Sequence, residues 1–466
     1  MSKYSAVDLF CGAGGFSKGF AMTEKFNIIK GFDIDKEALK TYNMNHKSKG
    51  IRYDLREDVP DSLKNKEIDF VIGSPPCQGF SDAKGSRDIA DKRNNLVFHF
   101  IRWVGNIKPK IAVMENVSGL LTISDNFIKD VRKQFKSINY KVKYTLLNSQ
   151  DFGVPQKRKR AIFIAAREDM PDPYFPGFGP NTSFNMIGRK VTVGDAILDL
   201  PEPNSAGTGK YSKEPENMFQ KIMRKNSTKI YNHISEKPRE SEMFIVEKIP
   251  EGKMYRSTRF GKKYIGVWEL FKKDFSYEER LILWFIARFR GRKAFKATDK
   301  AGPDYIPEDI IIKSLHKSTV IEEGKKYGFN ENRKTVKITK RKIRKLQNEG
   351  WLRTKMVNKI RAYDLNTKSG IRPRYMRLNH STQSNTILTT DFTPREKLHP
   401  TENRGISLRE GARIQSFPDD FMFAGDFKSV ARQIGNAVPP LMAKGIAEHM
   451  IDLLENQKEL VSVSTG

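Results

Sequence analysis

The stretch Ser5–Phe16, S-A-V-D-L-F-C-G-A-G-G-F, decides the fold. Ser5 to Phe10 reads as a strand, Cys11 to Gly15 as a glycine-rich turn, and Phe16 to Thr23 as a helix. Strand, glycine turn and helix form the first unit of a nucleotide-binding α/β fold, because glycines permit positive φ and let backbone approach a ligand closely. The turn departs from the G-x-G-x-x-G spacing, which counts against a nicotinamide dinucleotide. Outward from it, Asn27 to Phe32 reads as a second strand ending in Asp33-Ile34-Asp35. A carboxylate at that place accepts hydrogen bonds from ribose hydroxyls, which we assign to Asp33, while Asp35 caps the helix over 36–45. Asp54 follows a third short strand, where it is placed to hydrogen-bond an adenine amino group.

The next landmark is Gly73–Ser81, G-S-P-P-C-Q-G-F-S, after the apolar run 68–72. Pro75 and Pro76 fix φ and remove two backbone donors, so the loop is stiff and presents Cys77 at the carboxyl edge of the sheet. A lone cysteine in a loop is ordinarily inert, so Cys77 gains meaning only from its surroundings. The chain has 466 residues, enough for two or three domains, and 84 Lys and Arg against 55 Asp and Glu give a formal net charge of +29. Such an excess suits a polyanionic partner, nucleic acid first. Two cysteines cannot build a disulfide framework, so a reducing compartment is expected. No apolar run is long enough to span a bilayer and no signal-peptide pattern precedes the first strand, so a cytoplasmic protein is expected. No metal is expected.

Further motifs follow in order. A strand at 111–114 leads into Glu115-Asn-Val117; G-V-P-Q-K-R-K-R at 153–160 leads into a strand at 161–165; R-E-G-A-R-I-Q-S-F-P occupies 409–418; and Q-I-G-N-A-V-P-P occupies 433–440. Together with the glycine turn and the Cys77 loop, these six motifs in this order resemble the DNA (cytosine-5)-methyltransferases of bacterial type II restriction-modification systems. The resemblance covers 1–170 and 375–450. It implies a Rossmann-like α/β domain that uses S-adenosylmethionine as methyl donor and holds it with Phe10, Cys11, Gly12, Gly14, Gly15, Asp33, Ile34, Asp54, Leu55, Pro76, Leu96 and Asn436.

The chemistry demands these residue types. Carbon 5 of cytosine is a poor nucleophile; addition of a thiolate at carbon 6 breaks the conjugation and places electron density on carbon 5. Cys77 is the natural nucleophile. Glu115 then donates or shares a proton with the ring nitrogen between carbons 2 and 4, which needs an enclosed carboxyl with a raised pKa. Residues 157–160 alternate across a strand, so one face of that run points into the site. By the resemblance Arg160 holds the cytosine carbonyl oxygen and Arg158 supports the loop and the ring; Lys157 and Lys159 read as a solvated basic face. The target carbon is inaccessible inside a duplex, so the base is flipped into the pocket. Gln78 and Ser81 flank the nucleophile as DNA contacts, Ser81 toward a phosphate, and residues 86–95 read as a loop that closes over the base. An apolar helix begins at Leu96.

Between the two ends that carry the resemblance, 171–180 reads as a linker rich in Pro, Gly and aromatics. Residues 202–274 carry weak periodicity and stay unassigned. In 275–366, Ser276 with Glu279 forms a capping box opening a helix with Leu281, Trp284, Phe285 and Phe289 on one side. A second helix spans 307–316 and a third 339–349, with Ile343 and Leu346 inward, Lys340, Arg341, Arg344 and Lys345 outward and Gly350 as its cap. Segments 351–353 and 360–365 read as two strands, so the whole resembles a winged helix-turn-helix whose Lys340, Arg341 and Arg344 contact DNA. The expected organisation is a catalytic domain over 1–170, a smaller target-recognition domain over 171–430 and a C-terminal segment, 431–466, returning to the first domain. The expected function is methyl transfer to carbon 5 of a flipped cytosine in duplex DNA by a monomer working beside a cognate restriction endonuclease. The rivals are a tRNA cytosine-5 methyltransferase and a catalytically inactive DNA-binding regulator.

Overall fold

The apolar runs at 70–72, 111–114 and 161–166 are buried throughout, as is 6–9, which is apolar apart from Asp8, as strands covered on both faces must be. In the computed structural model, residues 3–64, 66–76, 95–122, 125–178, 185–225, 227–255, 264–270, 272–289, 308–329, 337–349, 351–352 and 375–464 are described. Cys77, Gln78 and Ser81 lie outside them, as do most of the closing loop 86–95, Gly350 and nearly all of the two expected wing strands.

The elements run β1 (Tyr4–Leu9), α1 (Gly15–Ala21), β2 (Phe26–Asp33), α2 (Lys36–Asn45), β3 (Gly50–Arg52), α3 (Asp61–Lys64), β4 (Phe70–Gly73), α4 (Leu96–Ile107), β5 (Ile111–Val117), α5 (Asp125–Ser137), β6 (Tyr140–Asn148), β7 (Gln156–Lys157) and β8 (Lys159–Arg167). Among the described residues they build a seven-stranded sheet of order β3-β2-β1-β4-β5-β8-β6. β1 pairs in parallel with both β2 and β4, and β4 with β5, whereas β8 runs antiparallel to β5 and β6. Chain order reverses at the β1–β4 neighbour pair, the topological switch point where open α/β sheets bind ligands at their carboxyl edge. The fold is a mixed α/β sheet, parallel apart from β8.

The chain divides into two compact units, one of Met1–Ser235, Asn379–Phe392 and Ser407–Gly466, the other of Glu236–Leu378 and Thr393–Ile406. The sequence places the start of the recognition domain at 171, yet residues 185–235 pack within the first unit. That segment holds α6 (Val193–Ile197), β9 (Gly209–Lys210), α7 (Met218–Arg224) and β10 (Lys229–Ile230). The physical reason is a buried charge network: Asp199 accepts from Arg224 Nη2 at 2.6 Å and from Arg413 Nη1 at 3.2 Å. His233 Nδ1 lies 2.8 Å from Ser407 Oγ in the same unit.

The second unit contains α8 (Glu240–Val246), β11 (Met254–Tyr255), β12 (Tyr264–Ile265), α9 (Val267–Leu270), α10 (Tyr277–Phe289), α11 (Glu308–Leu315), α12 (Ser318–Lys325), α13 (Lys340–Asn348), β13 (Met376–Arg377) and β15 (Lys397–Leu398). The intervening β14 (Ser384–Asn385) belongs to the first unit and pairs with β7. The capping box is present: Ser276 N–H donates to Glu279 Oε2 at 2.7 Å, and Glu279 N–H to Ser276 Oγ at 3.3 Å. Trp284, Phe285, Ile311, Ile343 and Leu346 are buried in one cluster, so the expected helices meet on their apolar sides. The sequence missed α12, whose buried residues are Val320 and Gly324; Gly324 lies beneath the Trp284 ring, a contact that leaves no apolar periodicity.

The first unit closes with α14 (Leu408–Ile414), α15 (Phe427–Asn436) and α16 (Pro440–Ser464), the last packed on α1. Ser407 and Glu410 form the capping box of α14. Arg409 is buried and donates to the carbonyls of Tyr231, Pro418 and Phe421.

Candidate active site

Register aligns the functional segments. Leu9 pairs with Gly73 and Gly73 with Met114, so the glycine turn and the Pro75-Pro76 loop leave adjacent strands level with Glu115, on the next strand along. Phe10 turns the chain there at φ 58, a conformation that bulky residues rarely adopt. Gly14 caps α1 at φ 93, and a Cβ on it would sit 2.2 Å from His46 Nε2. A Cβ on Gly15 would lie 2.4 Å from the Val438 carbonyl oxygen, so the segment just beyond Asn436 lies against the glycine turn. Asn436 itself, the last residue of α15, is exposed.

Asp33 ends β2 and binds the turn from the side: Gly12 N–H donates to Oδ2 at 2.8 Å and Asp35 N–H to Oδ1 at 2.8 Å. Burial raises its pKa and the backbone N–H groups oppose that rise. Asp35 caps α2 by accepting from Glu37 N–H at 3.0 Å. Ile34 is 57% exposed beside Asp33, an apolar face next to a carboxylate, which suits an adenosine. Asp54 is held by Arg56, whose Nε donates at 3.0 Å, and that hydrogen bond brings its carboxyl down to about 2. Leu55 is buried, and Trp103 Nε1 donates to its carbonyl at 3.1 Å, a brace from α4 that residue spacing does not reveal. Cys11 turns its thiol into a small cluster with Leu39 and Tyr42. Burial pushes that thiol well up, with Asp8 and Asp33 adding to the effect.

Asp8 was not among the expected site residues. It is fully buried on β1, accepts from Ser17 Oγ at 2.6 Å, and its Oδ1 finds no hydrogen-bond partner among the described residues. Desolvation raises its pKa to about 7. Below about pH 4 folded and unfolded chains both hold this proton, between 4 and 7 only the folded chain holds it, and above 7 neither does. The folded state therefore loses stability as pH rises from 4 to 7, by roughly 4 kcal/mol in all for this one group. Asp8→Asn is expected to raise the urea midpoint at pH 8 and to leave it little changed at pH 4. Equal midpoints for variant and wild type at pH 8 would contradict the assignment.

Glu115 lies within β5, because antiparallel pairing with β8 carries the strand to Val117, opposite Arg160. Arg160 Nε sits 2.8 Å from Glu115 Oε1, with side chains 13% and 8% exposed. Burial lowers the Arg160 pKa against the opposing pull of Glu115. Arg158 shares that face; Lys157 and Lys159 are exposed. Arg158 is buried, donates from Nη1 to the Ile387 carbonyl at 3.3 Å and leaves Nε without a partner among the described residues. Desolvation lowers its pKa, and the neighbouring Arg160 adds to that.

Two supporting residues escaped the sequence reading. Asn116 Nδ2 donates to the Pro75 carbonyl at 3.0 Å, tying β5 to the loop that leads to Cys77. Gln156 donates to Gln415 Oε1 at 2.6 Å and accepts from Ile387 N–H at 3.0 Å. Each stood beside a motif residue, but nothing in spacing alone marks a side chain that spans two strands. Pro76 is exposed at the end of the described loop, and Leu96 is half-buried at the start of α4.

A glycine turn and a carboxylate at the switch point, and a buried Glu–Arg pair one strand away, define a methyltransferase of the S-adenosylmethionine-dependent class. The model of the C-5 cytosine-specific DNA methylases matches residues 4–452, and the chain belongs to that family. Type II methyltransferase M.DdeI of Desulfomicrobium norvegicum is 29% identical over 97% of this chain and 89% of its own length. Type II methyltransferase M.AgeI of Thalassovita gelatinovora is 28% identical over 95% of this chain and 98% of its own. A solved E. coli structure described as a prophage-encoded DNA modification methyltransferase shares the fold at TM-score 0.55 and 21% identity, covering 97% of this chain and 100% of that one. The enzyme methylates carbon 5 of cytosine in DNA. Among the described residues no helix is long and apolar enough to cross a membrane.

Proposed function

We propose that the protein is the modification enzyme of a type II restriction-modification system, transferring a methyl group from S-adenosylmethionine to a flipped cytosine within one duplex sequence. The buried Glu115–Arg160 pair beside the Pro75-Pro76 loop carries the reading. S-adenosylmethionine supplies an electrophilic methyl group on a sulfonium. Asp33 and Asp54 would hold its ribose and adenine, Ile34 and Leu55 would flank the base, and Phe10, Gly12, Gly14, Gly15, Pro76, Leu96 and Asn436 would line the remainder. Carboxylates at this edge also favour a cationic ligand electrostatically.

The Cys77 thiolate adds to carbon 6 of the cytosine, while Glu115 gives a proton to the ring nitrogen as charge builds there. Arg160 orients Glu115 and polarises the cytosine carbonyl oxygen; Arg158 fixes the 385–387 segment behind it. The new carbon–carbon bond forms at carbon 5 as the donor's carbon–sulfur bond breaks. Loss of the carbon 5 proton to a base then expels Cys77 and restores the ring. Gln78 and Ser81 contact the DNA beside the flipped base, and Lys340, Arg341 and Arg344 of the second unit engage the duplex. The protein acts as a monomer in the bacterial cytoplasm, and its partner endonuclease is linked by shared sequence.

Purified protein incubated with S-adenosylmethionine and either genomic DNA or tRNA tests this, with bisulfite sequencing reading the product. Glu115→Gln is expected to slow methyl transfer on DNA by about 10²–10⁴-fold, the usual worth of a positioned proton donor. Methylation confined to RNA, or a Glu115→Gln enzyme as fast as wild type, would remove the reading.

A further inference from the structure

The basic residues of α13 are unequal. Lys342 Nζ lies 2.8 Å from Glu278 Oε2, and Lys345 Nζ lies 2.7 Å from Glu279 Oε1, both carboxylates of α10. Lys340 lies 3.0 Å from Asp309 and Arg344 Nε 3.6 Å from Glu308, both in the first turn of α11. Arg341 and Asn348 are exposed, and among the described residues Arg341 makes no ion pair. The opposite side of the helix is fixed by Ile343, Leu346 and Gln347, all buried. Arg341, Arg344, Lys345 and Asn348 border an open depression of about 440 Å³ with Glu349. Positions 341, 344, 345 and 348 follow the i, i+3, i+4, i+7 spacing of a single helix face.

We propose that this face reads base edges in the major groove, with Arg341 and Arg344 taking guanines and Asn348 an adenine, while Lys342 and Lys345 stay on α10 as anchors. The proposal rests on duplex DNA being the substrate and goes further, dividing α13 into readers and anchors. Guanine offers two acceptors to a guanidinium fork, and adenine offers a donor and an acceptor to a carboxamide. Glu308 beside Arg344 restrains its fork. Lys345 is paired with Glu279 and Arg344 with Glu308, so among the described residues Arg341 supplies the unpaired positive charge of the outward face that a duplex attracts. Seven residues of helix span about 10.5 Å, close to three base-pair steps of about 3.4 Å. The recognition sequence is therefore expected to hold a guanine and an adenine about three base pairs apart.

The test uses the full-length enzyme. Bisulfite sequencing of DNA from cells expressing it gives the cognate site; Arg341→Ala and Asn348→Ala are then measured on cognate and scrambled duplexes across a salt series. Expected is a loss of about tenfold to a hundredfold on the cognate duplex, with scrambled binding little changed and S-adenosylmethionine affinity intact as a control for folding. Equal losses on both duplexes with a shallower salt slope would mean phosphate contacts only and overturn base reading. No loss on either duplex, with the wild type still methylating DNA, would overturn the role of α13 and leave the enzymatic reading standing. A wild type that methylates no DNA would instead overturn that reading, and with it the proposal.

Discussion

Cys77→Ser is expected to abolish methyl transfer, by at least about a thousandfold, or about 4 kcal/mol of barrier, while DNA binding is little changed. A serine hydroxyl is scarcely ionised at neutral pH, whereas a thiol carries an appreciable thiolate fraction and is far more nucleophilic. The variant keeps the two prolines that stiffen the loop, and Asn116 still holds the Pro75 carbonyl at 3.0 Å. The defect should therefore fall on turnover and spare docking. Single-turnover methylation and duplex binding, measured on the same preparation, decide the matter. A serine enzyme within tenfold of wild type would displace Cys77 from the nucleophile's role.

Arg413→Leu is expected to destabilise the protein by about 3–5 kcal/mol, the cost of removing one partner from a buried charge network. Arg413 is fully buried, with Nε 2.6 Å from Asp419 Oδ1 and Nη1 2.9 Å from the Ala196 carbonyl. Burial alone would lower its pKa; Asp419 and Asp199 outweigh that and raise it. Leucine fills much of the volume but leaves Asp419 with the Tyr211 hydroxyl alone as a side-chain donor among the hydrogen bonds described. Urea unfolding measures the loss. A change below about 1 kcal/mol would mean that the network relaxes around the missing cation.

Much of the catalytic edge was legible in the chain because each motif is local. A glycine turn needs its glycines in place to permit positive φ, and the φ values of 52 at Gly12 and 93 at Gly14 bear that out. A capping box needs a hydroxyl and a carboxylate three residues apart, which Ser276–Glu279 and Ser407–Glu410 supply. A strand buried on both faces needs an unbroken apolar run, which 70–72 and 111–114 supply.

Other features were legible only in three dimensions, since they depend on which strands become neighbours. Sequence put Glu115 after a strand; pairing with β8 puts it inside β5 and sets it against Arg160. Lys340, Arg341 and Arg344 look alike in one dimension, but the first turn of α11 places carboxylates beside two of them and leaves Arg341 without an ion pair among the described residues. The boundary at 235 has the same origin: Asp199 stays with the first unit because Arg224 and Arg413 reach it from either side of a long excursion of the chain. By itself the sequence determined the family, the strand–turn–helix units and the chemistry of their loops, because those follow from residue type and short spacing. Tertiary structure alone decided which charges are buried together and which remain free, because desolvation and pairing depend on distance between residues that the chain keeps far apart.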